Sequence, residues 1–280
     1  MEEKKISLKD VEGFVQYLTM EEKSAATIGK YRHDVLCLVR FAAGRVLDKA
    51  LLLEYKAWLV QRYAVESVNS MPAAVNSFLR CMKRPDCCIR QLKMQRTAYC
   101  PQDKELKREE YERLVAAAGK KRSQQLCLLL QTICATGIRV SELSQITLEA
   151  VRCGEAVITC KGKTRRVFLP VQLRKKLLHF AREQHIGAGP LFVTRSGRPL
   201  DRCSIWRQMK ALCERAGVAA SKVFPHNLRH LFARTFYRVH RDIVKLADLL
   251  GHSNINTTRI YTISTGAEHR KKIECLRLVL

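Results

Sequence analysis

The residues with the clearest chemical potential lie between positions 139 and 261. They comprise two arginines, a lysine, two histidines and a tyrosine: Arg139, Lys161, His226, Arg229, His252 and Tyr261. Guanidinium groups can donate paired hydrogen bonds to the non-bridging oxygens of a phosphodiester. Fixed donors of this kind lower the barrier to attack on phosphorus.

The other four residues are suited to proton transfer and nucleophilic attack. An imidazole can donate a hydrogen bond or move a proton near neutral pH, and a lysine can protonate a leaving oxygen. A tyrosine hydroxyl can attack phosphorus when cations and a base favour its ionised form. Each residue alone has an ordinary structural explanation, such as a surface arginine, a turn lysine or a half-buried tyrosine. Their combination predicts phosphoryl transfer.

Four motifs contain these residues: ATGIRVSEL, CKGKTRR followed by VFLP, PHNLRH and LLGHSNINTTRIYT. In this order and spacing they resemble the tyrosine recombinase or phage integrase family, and Xer-like site-specific recombinases in particular. The resemblance is close over about residues 105–265 and looser over the N-terminal part.

The resemblance implies a site-specific DNA recombinase for DNA integration, excision or dimer resolution. Tyr261 would attack a scissile phosphate and form a 3′-phosphotyrosyl intermediate, while Arg139 and Arg229 hold the non-bridging oxygens. Lys161 would protonate the leaving 5′ oxygen. The covalent link conserves the energy of the phosphodiester, so no ATP or other cofactor is expected, and GxxxxGK[ST] is absent from the sequence.

The same resemblance assigns His226 to proton transfer and His252 to a hydrogen bond with the phosphate. Glu142, one turn after Arg139, is expected to position that arginine or a neighbouring residue. His226 and His230 have the H-x-x-x-H spacing of zinc helices, but Asn227 replaces the glutamate of H-E-x-x-H and no carboxylate or cysteine cluster completes a site. We therefore expect no metal, and a packing or DNA-backbone role for His230.

Hydrophobic periodicity predicts the elements that position these residues. Four helices are expected in the first hundred residues, with Ser7 and Asp10 capping the first, Thr27 capping the second and the fourth ending before Pro85. The polar stretch around Pro101 predicts a linker. The resulting domains are residues 1–95 and 108–280, joined by 96–107, and the resemblance implies a helical, SAM-like core-binding domain for the first.

The second part is predicted to be a mixed α/β catalytic domain. A buried helix over 126–136 should end at Gly137, and a hairpin should pair 156–159 with 166–169. A further strand is expected over 191–194, and the remaining elements should be helices over 108–118, 173–183, 204–216, 226–239 and 243–250. The predicted fold is mainly α with a small β-sheet, and the resemblance implies a two-domain C-shaped clamp.

Charge points to a polyanionic partner. The 280 residues contain 51 Lys or Arg and 26 Asp or Glu, a net charge of +25. Residues 1–100 hold 17 basic and 11 acidic residues and the remainder 34 and 15, so both parts are basic. Double-stranded DNA is the expected partner, with an acidic membrane surface as the competing one. No stretch is apolar enough to span a membrane, and twelve cysteines without a secretory signal favour reduced thiols in the cytoplasm.

The assembly expected from the resemblance is a homo-tetramer, or a hetero-tetramer with a related recombinase, on two DNA sites. Apolar residues at helical spacing in the tail 271–280 predict a C-terminal helix that docks on the neighbouring protomer or folds back on its own domain. Two other functions stay open, a non-cleaving DNA-binding regulator of the same fold and a type IB topoisomerase-like relaxase. Candidate base-reading residues are Lys30, Arg32, Arg202 and Arg207.

Overall fold

A computed structural model describes residues 5–92, 105–119, 124–160, 162–261 and 274–276. The chain divides into two compact units, 1–96 and 97–280. Most described residues are helical, and the one sheet among them has two strands. The predicted fold class, mainly α with a small β-sheet, is confirmed. Positions 96–104 of the predicted linker lie outside the described residues.

Within residues 5–92, the first unit contains four α-helices and one turn of 3-10 helix. They are α1 (Leu8–Met20), α2 (Ala25–Ala42), α3 (Lys49–Arg62), α4 (Val65–Cys81) and the 3-10 turn Pro85–Cys87. Ser7 and Asp10 form the predicted capping box of α1. The prediction for α2 was wrong by one turn, because Ser24 is the N-cap and its hydroxyl accepts from the Thr27 N–H. The helices bury a common apolar core in which Phe14 meets Phe78 edge to face at 5.3 Å.

The second unit contains eight α-helices within the described residues, together with the hairpin and two 3-10 helices. The helices are α5 (Arg108–Ala118), α6 (Gln124–Thr136), α7 (Leu148–Cys153), α8 (Val171–Glu183), α9 (Arg202–Ala216), α10 (Pro225–His240), α11 (Ile243–Leu250) and α12 (Ile255–Arg259). The strands are β1 (Glu155–Cys160) and β2 (Lys163–Phe168), and the 3-10 helices are Val140–Gln145 and Ala220–Lys222.

Helix α6 is the centre of this unit, as its sequence predicts. Its leucines and Ile133 are buried in the main apolar cluster, and α10 packs directly against it. The helix ends at Gly137, which has φ +66°. A Cβ at this position would meet the Phe232 ring at 2.5 Å, so glycine is required both by the backbone and by the packing of α10.

The predicted hairpin forms, and its strands extend closer to the turn than the expected 156–159 and 166–169. Its strands are antiparallel, and Cys160 lies opposite Lys163 across the turn. Lys161 lies outside the described residues. The strand expected over 191–194 does not form, and Val193 makes only an isolated bridge to Pro199.

Two further predictions concern membranes and the tail. None of the helices that the structure describes combines the length and the apolar character needed to cross a bilayer. In the tail, the structure describes only residues 274–276, so the predicted C-terminal helix and its docking lie outside the described residues apart from these three.

Candidate active site

Arg229 joins three distant parts of the second unit. Helix α10 begins with Pro225, whose missing N–H costs nothing in a first helical turn, and it places Arg229 one turn later on its inner face. Only 1% of the surface of Arg229 is exposed. Its Nη1 donates to the Gly137 carbonyl at 2.6 Å and its Nη2 to the Leu250 carbonyl at 2.7 Å. The ends of α6 and α11 are thereby fixed to α10.

Arg229 keeps its positive charge although it is buried. Desolvation, and next the charge of Arg139, lower the pKa of Arg229 to about 10. The guanidinium therefore stays protonated at neutral pH. Gly137, whose carbonyl accepts a hydrogen bond from Arg229, lies two residues before Arg139, so the two arginines of the predicted phosphate clamp belong to neighbouring segments.

His252 follows the end of α11 and contacts both Arg229 and α12. Its Nε2 lies 2.9 Å from Arg229 Nη2, and its Nδ1 lies 2.9 Å from Oγ1 of the buried Thr258. Desolvation, followed by the charge of Arg229, lowers the pKa of His252 to about 4. The imidazole is therefore neutral near pH 7.

Tyr261 packs inside the site, where only 3% of its surface is exposed. Its ring meets the His230 ring edge to face, with centroids 4.7 Å apart, and lies nearly parallel to the His252 ring at 6.0 Å. Its hydroxyl interacts with Arg229. The short helix α12 delivers the tyrosine, because the Tyr261 N–H donates to the Thr258 carbonyl directly after the last turn.

His226 and His230 lie one turn apart on α10, with ring centroids 4.5 Å apart. His226 is exposed, and His230 is half-buried between it and Tyr261. Desolvation lowers the pKa of His230 to about 3 and, together with the charges of Arg229, Arg139 and Arg202, lowers the pKa of His226. Neutral imidazoles can accept a proton, and His226 is the more accessible of the two.

Arg139 precedes the 3-10 helix Val140–Gln145 and is held by Glu142. The Glu142 carboxylate accepts from the Arg139 backbone N–H at 2.8 Å and from its Nη1 at 3.0 Å. The same carboxylate accepts two further hydrogen bonds from Arg165, at 2.9 and 2.7 Å. The Arg139 side chain is 35% exposed, so its guanidinium remains open to an incoming phosphate.

Five of the six predicted site residues, all except Lys161, therefore lie in one neighbourhood of the second unit. Of the predicted base-reading residues, Arg202, Arg207 and Arg32 are exposed, and Lys30 forms an ion pair with Asp34. Arg202 is close enough to the site to influence His226. Among the described residues, no three His, Cys, Asp or Glu side chains are grouped so that they could hold a metal ion.

Sequence reasoning missed two residues of the site, Arg165 and Thr258. Arg165 lies on the inward phase of β2 with the buried Val167, and the neighbouring Arg166 faces outward. A charged residue on the apolar phase of a strand was the available signal. Thr258 gave no comparable signal, since only the folding of α12 brings it to His252.

Comparison with known proteins identifies the family of this chain. The profile of the phage integrase family matches residues 104–268. The tyrosine recombinase XerA of Pyrococcus furiosus is 27% identical over 288 residues, covering 100% of this chain and 98% of the relative. XerA of Thermococcus kodakarensis is 31% identical over 279 residues, covering 96% and 95%. The crystal structure of a lambda integrase tetramer bound to a Holliday junction has a TM-score of 0.73 at 14% identity, covering 92% and 77%.

A basic, mainly helical protein with this cluster of arginine, histidine and tyrosine falls in the class of enzymes that transfer DNA strands. The chain belongs to the phage integrase family of tyrosine recombinases, and it is a site-specific DNA recombinase. The two alternatives, a non-cleaving regulator and a topoisomerase-like relaxase, receive no support.

Proposed function

We propose that Tyr261 is the nucleophile of this recombinase and that the cluster around Arg229 is its phosphate-binding site. The observation that carries the proposal is the position of the Tyr261 ring, which lies against His230 and His252 with its hydroxyl at the buried Arg229. A phenol held beside this arginine lies next to the group that would bind the phosphate under attack.

In the proposed cleavage step, the phenol oxygen of Tyr261 bonds to the scissile phosphorus and the bond from phosphorus to the 5′ oxygen breaks. Arg139 and Arg229 offset the charge that develops on the non-bridging oxygens. The exposed, neutral His226 is suited to accept the phenolic proton. Lys161, outside the described residues, is assigned by motif position as the acid that protonates the leaving oxygen. A 5′-hydroxyl from a partner strand reverses these steps and rejoins the DNA.

The burial of Tyr261 adds a requirement for movement. With 3% of its surface exposed, the tyrosine cannot contact a phosphate on a DNA duplex until α12 and the residues after it shift. Helix α12 has only five residues, so little helical structure must rearrange. We infer that DNA binding and release of the tyrosine from the two imidazoles are coupled.

The wider assembly also belongs to this proposal. The enzyme acts on DNA and forms oligomers. We assign DNA binding to the helical first unit, which would act as a core-binding domain, and catalysis to the second unit. A homo-tetramer or a hetero-tetramer with a related recombinase would pair two sites, as lambda integrase forms a tetramer on a Holliday junction. Exchange of the C-terminal helix between protomers, a cytoplasmic location and the absence of a cofactor stay predictions.

A covalent-trapping experiment tests the proposal. The full-length protein is incubated with a nicked suicide duplex carrying its cognate site, and the adduct is resolved on a denaturing gel. Wild type should form an adduct whose mass maps to Tyr261. Tyr261→Phe should bind the duplex with unchanged affinity and form none. An adduct that persists in Tyr261→Phe, or maps to another residue, would contradict the assignment.

The number of protomers on DNA tests the assembly. Recombination of two paired sites requires four protomers, whereas relaxation of a supercoil requires one. Analytical ultracentrifugation of the protein with a trapped junction should therefore give four copies per junction. A monomer that relaxes supercoiled DNA without joining two sites would instead indicate topoisomerase activity.

A further inference from the structure

Glu142 is the most heavily hydrogen-bonded carboxylate at the edge of the site. Only 1% of its surface is exposed, and its two oxygens accept four hydrogen bonds, two from Arg139 and two from Arg165. A carboxylate this deeply buried is costly unless it is paired. The two arginines do not stabilise this carboxylate equally. The Arg139 side chain is 35% exposed and that of Arg165 only 13%, so water weakens the Arg139 contact more.

Arg165 is the partner of Glu142 whose side chain is fixed on both sides. It forms a bidentate pair with both Glu142 oxygens, the geometry that gives an arginine–carboxylate contact its directional strength. On its other side the arginine packs against Gly251, where a Cβ would meet Arg165 Cδ at 2.7 Å. Gly251 directly precedes His252. Arg165 thus links β2 to the Arg139 segment and borders the segment that leads to Tyr261.

The link has electrostatic consequences. Burial alone would raise the pKa of Glu142, but hydrogen bonds from Arg165 and from Arg139 outweigh it and the pKa is lowered. The charged groups that act on this carboxylate are Arg139, Arg165 and, through space, Arg229. Without Arg165, less would oppose the effect of desolvation. The pKa of Glu142 would rise, and the carboxylate would bind a proton more readily.

We propose that Arg165 is a positioning residue for strand cleavage, which holds the Glu142 carboxylate in the orientation that directs the Arg139 guanidinium toward the scissile phosphate. The proposal rests on the proposed role of Arg139 in the phosphate clamp. Arg165 touches no reacting atom in this scheme. It acts entirely through the carboxylate, and it is carried by the strand that begins two residues after Lys161.

The chain offers a matched control in the adjacent residue. Arg166 lies on the same strand with its side chain outward, 71% exposed, where it pairs with Glu155 at 3.3 Å. Arg166→Ala removes the same charge from the same strand without touching Glu142. If the lost positive charge weakens DNA binding, Arg165→Ala and Arg166→Ala should weaken it alike. Only Arg165→Ala should also disturb the position of Arg139.

The test uses single-turnover cleavage of the suicide duplex by the full-length protein at saturating concentration, between pH 6 and 9. Arg165→Ala should slow cleavage by about tenfold to a hundredfold, with affinity changed no more than in Arg166→Ala. The acid limb of the pH–rate profile of this variant should move to higher pH by about one unit or more, because Glu142 must now lose a proton before it can hold Arg139. Arg165→Lys should restore part of the rate and the wild-type pH profile.

A double-mutant cycle with Glu142→Gln separates positioning from general destabilisation. If Arg165 acts through Glu142, the double variant should be no slower than the slower single variant. A wild-type cleavage rate in Arg165→Ala would overturn the proposal. So would slow cleavage with an unchanged pH profile and additive losses in the cycle, since that pattern is expected of a residue that merely supports the fold.

A second measurement does not depend on cleavage. The difference in free energy of unfolding between wild type and Arg165→Ala should grow as the pH rises from 5 to 8, because the ionised Glu142 loses its main partner. Arg166→Ala should show no such trend. If Arg165→Ala fails to fold, Arg165→Gln, which removes the positive charge but keeps a hydrogen-bonding side chain, is used for both measurements. Failure of wild type to form the Tyr261 adduct would speak against the proposed nucleophile, whereas a pH-independent difference in unfolding would speak against the role of Arg165.

Discussion

Arg229 Nη2 donates a hydrogen bond to His252 Nε2 at 2.9 Å. Since an arginine can only donate, Nε2 is the acceptor and the neutral ring carries its proton on Nδ1, which donates to Thr258 Oγ1. Both ring nitrogens are therefore engaged within the protein. A phosphate oxygen can accept a hydrogen bond from His252 only after one of these two contacts breaks.

Replacement of Thr258 should expose the role of this tautomer. Thr258→Val keeps the shape of the fully buried side chain but leaves the Nδ1 proton without its acceptor, so the ring can change tautomer or rotate. We expect single-turnover cleavage to fall about tenfold, which corresponds to about 1.4 kcal/mol. The exposed neighbour Thr257→Val is the control. Equal rates in both variants would show that the Thr258 contact does not tune His252.

Stability should fall in mild acid because of two half-buried histidines. The folded pKa values of His230 and His252, about 3 and about 4, lie below the ordinary value near 6.5. The unfolded chain therefore binds more protons, and the stabilisation present above pH 6.5 is lost progressively as the pH falls toward 4. Urea unfolding at several pH values should show this slope.

Two variants identify the source of the pH dependence. His230→Gln and His252→Gln should each flatten the slope between pH 6.5 and 4, because each removes one group that the fold holds neutral. His179→Gln, at a side chain that is 67% exposed, should leave the slope unchanged. A slope that all three variants share with wild type would place the acid sensitivity elsewhere.

The two arginines of the clamp should differ in their effect on stability. Arg139→Ala and Arg229→Ala should each reduce cleavage by about a hundredfold or more, the cost of a lost donor at a developing charge. Only Arg229→Ala should also destabilise the fold, by about 1–3 kcal/mol for each buried carbonyl left without a donor, Gly137 and Leu250. Suicide-duplex cleavage and urea unfolding, with the exposed Arg238→Ala as control, distinguish the two effects.

Two glycines separate backbone strain from packing. Gly217 and Gly137 both have positive φ, but a Cβ at Gly217 meets open space whereas one at Gly137 meets the Phe232 ring. Gly217→Ala should therefore cost only the left-handed backbone penalty, about 1–2 kcal/mol. Gly137→Ala should cost about 1–3 kcal/mol more, because α10 must shift. Similar unfolding free energies in the two variants would show that the ring accommodates the methyl group.

Local sequence was sufficient for most elements of the fold. A continuous apolar run predicted α6 and its end at Gly137, and two short β-prone runs around residues 161–164 predicted the hairpin, because both signals depend on residues close together in the chain. The predicted strand over 191–194 failed for the complementary reason. A short apolar run does not become a strand without a partner edge, and Val193 finds only the bridge to Pro199.

The motifs also named the site residues, since their types and order are read directly from the chain. Their contacts depended on long-range packing. Arg229 bonds to carbonyls 92 and 21 positions away, and Arg165 reaches Glu142 across 23. No local pattern encodes which groups meet across such separations. Burial of Tyr261, the tautomer of His252 and the pairing of Arg165 with Glu142 therefore follow only from the tertiary structure, which sets both the distances between these groups and how far water is excluded from them.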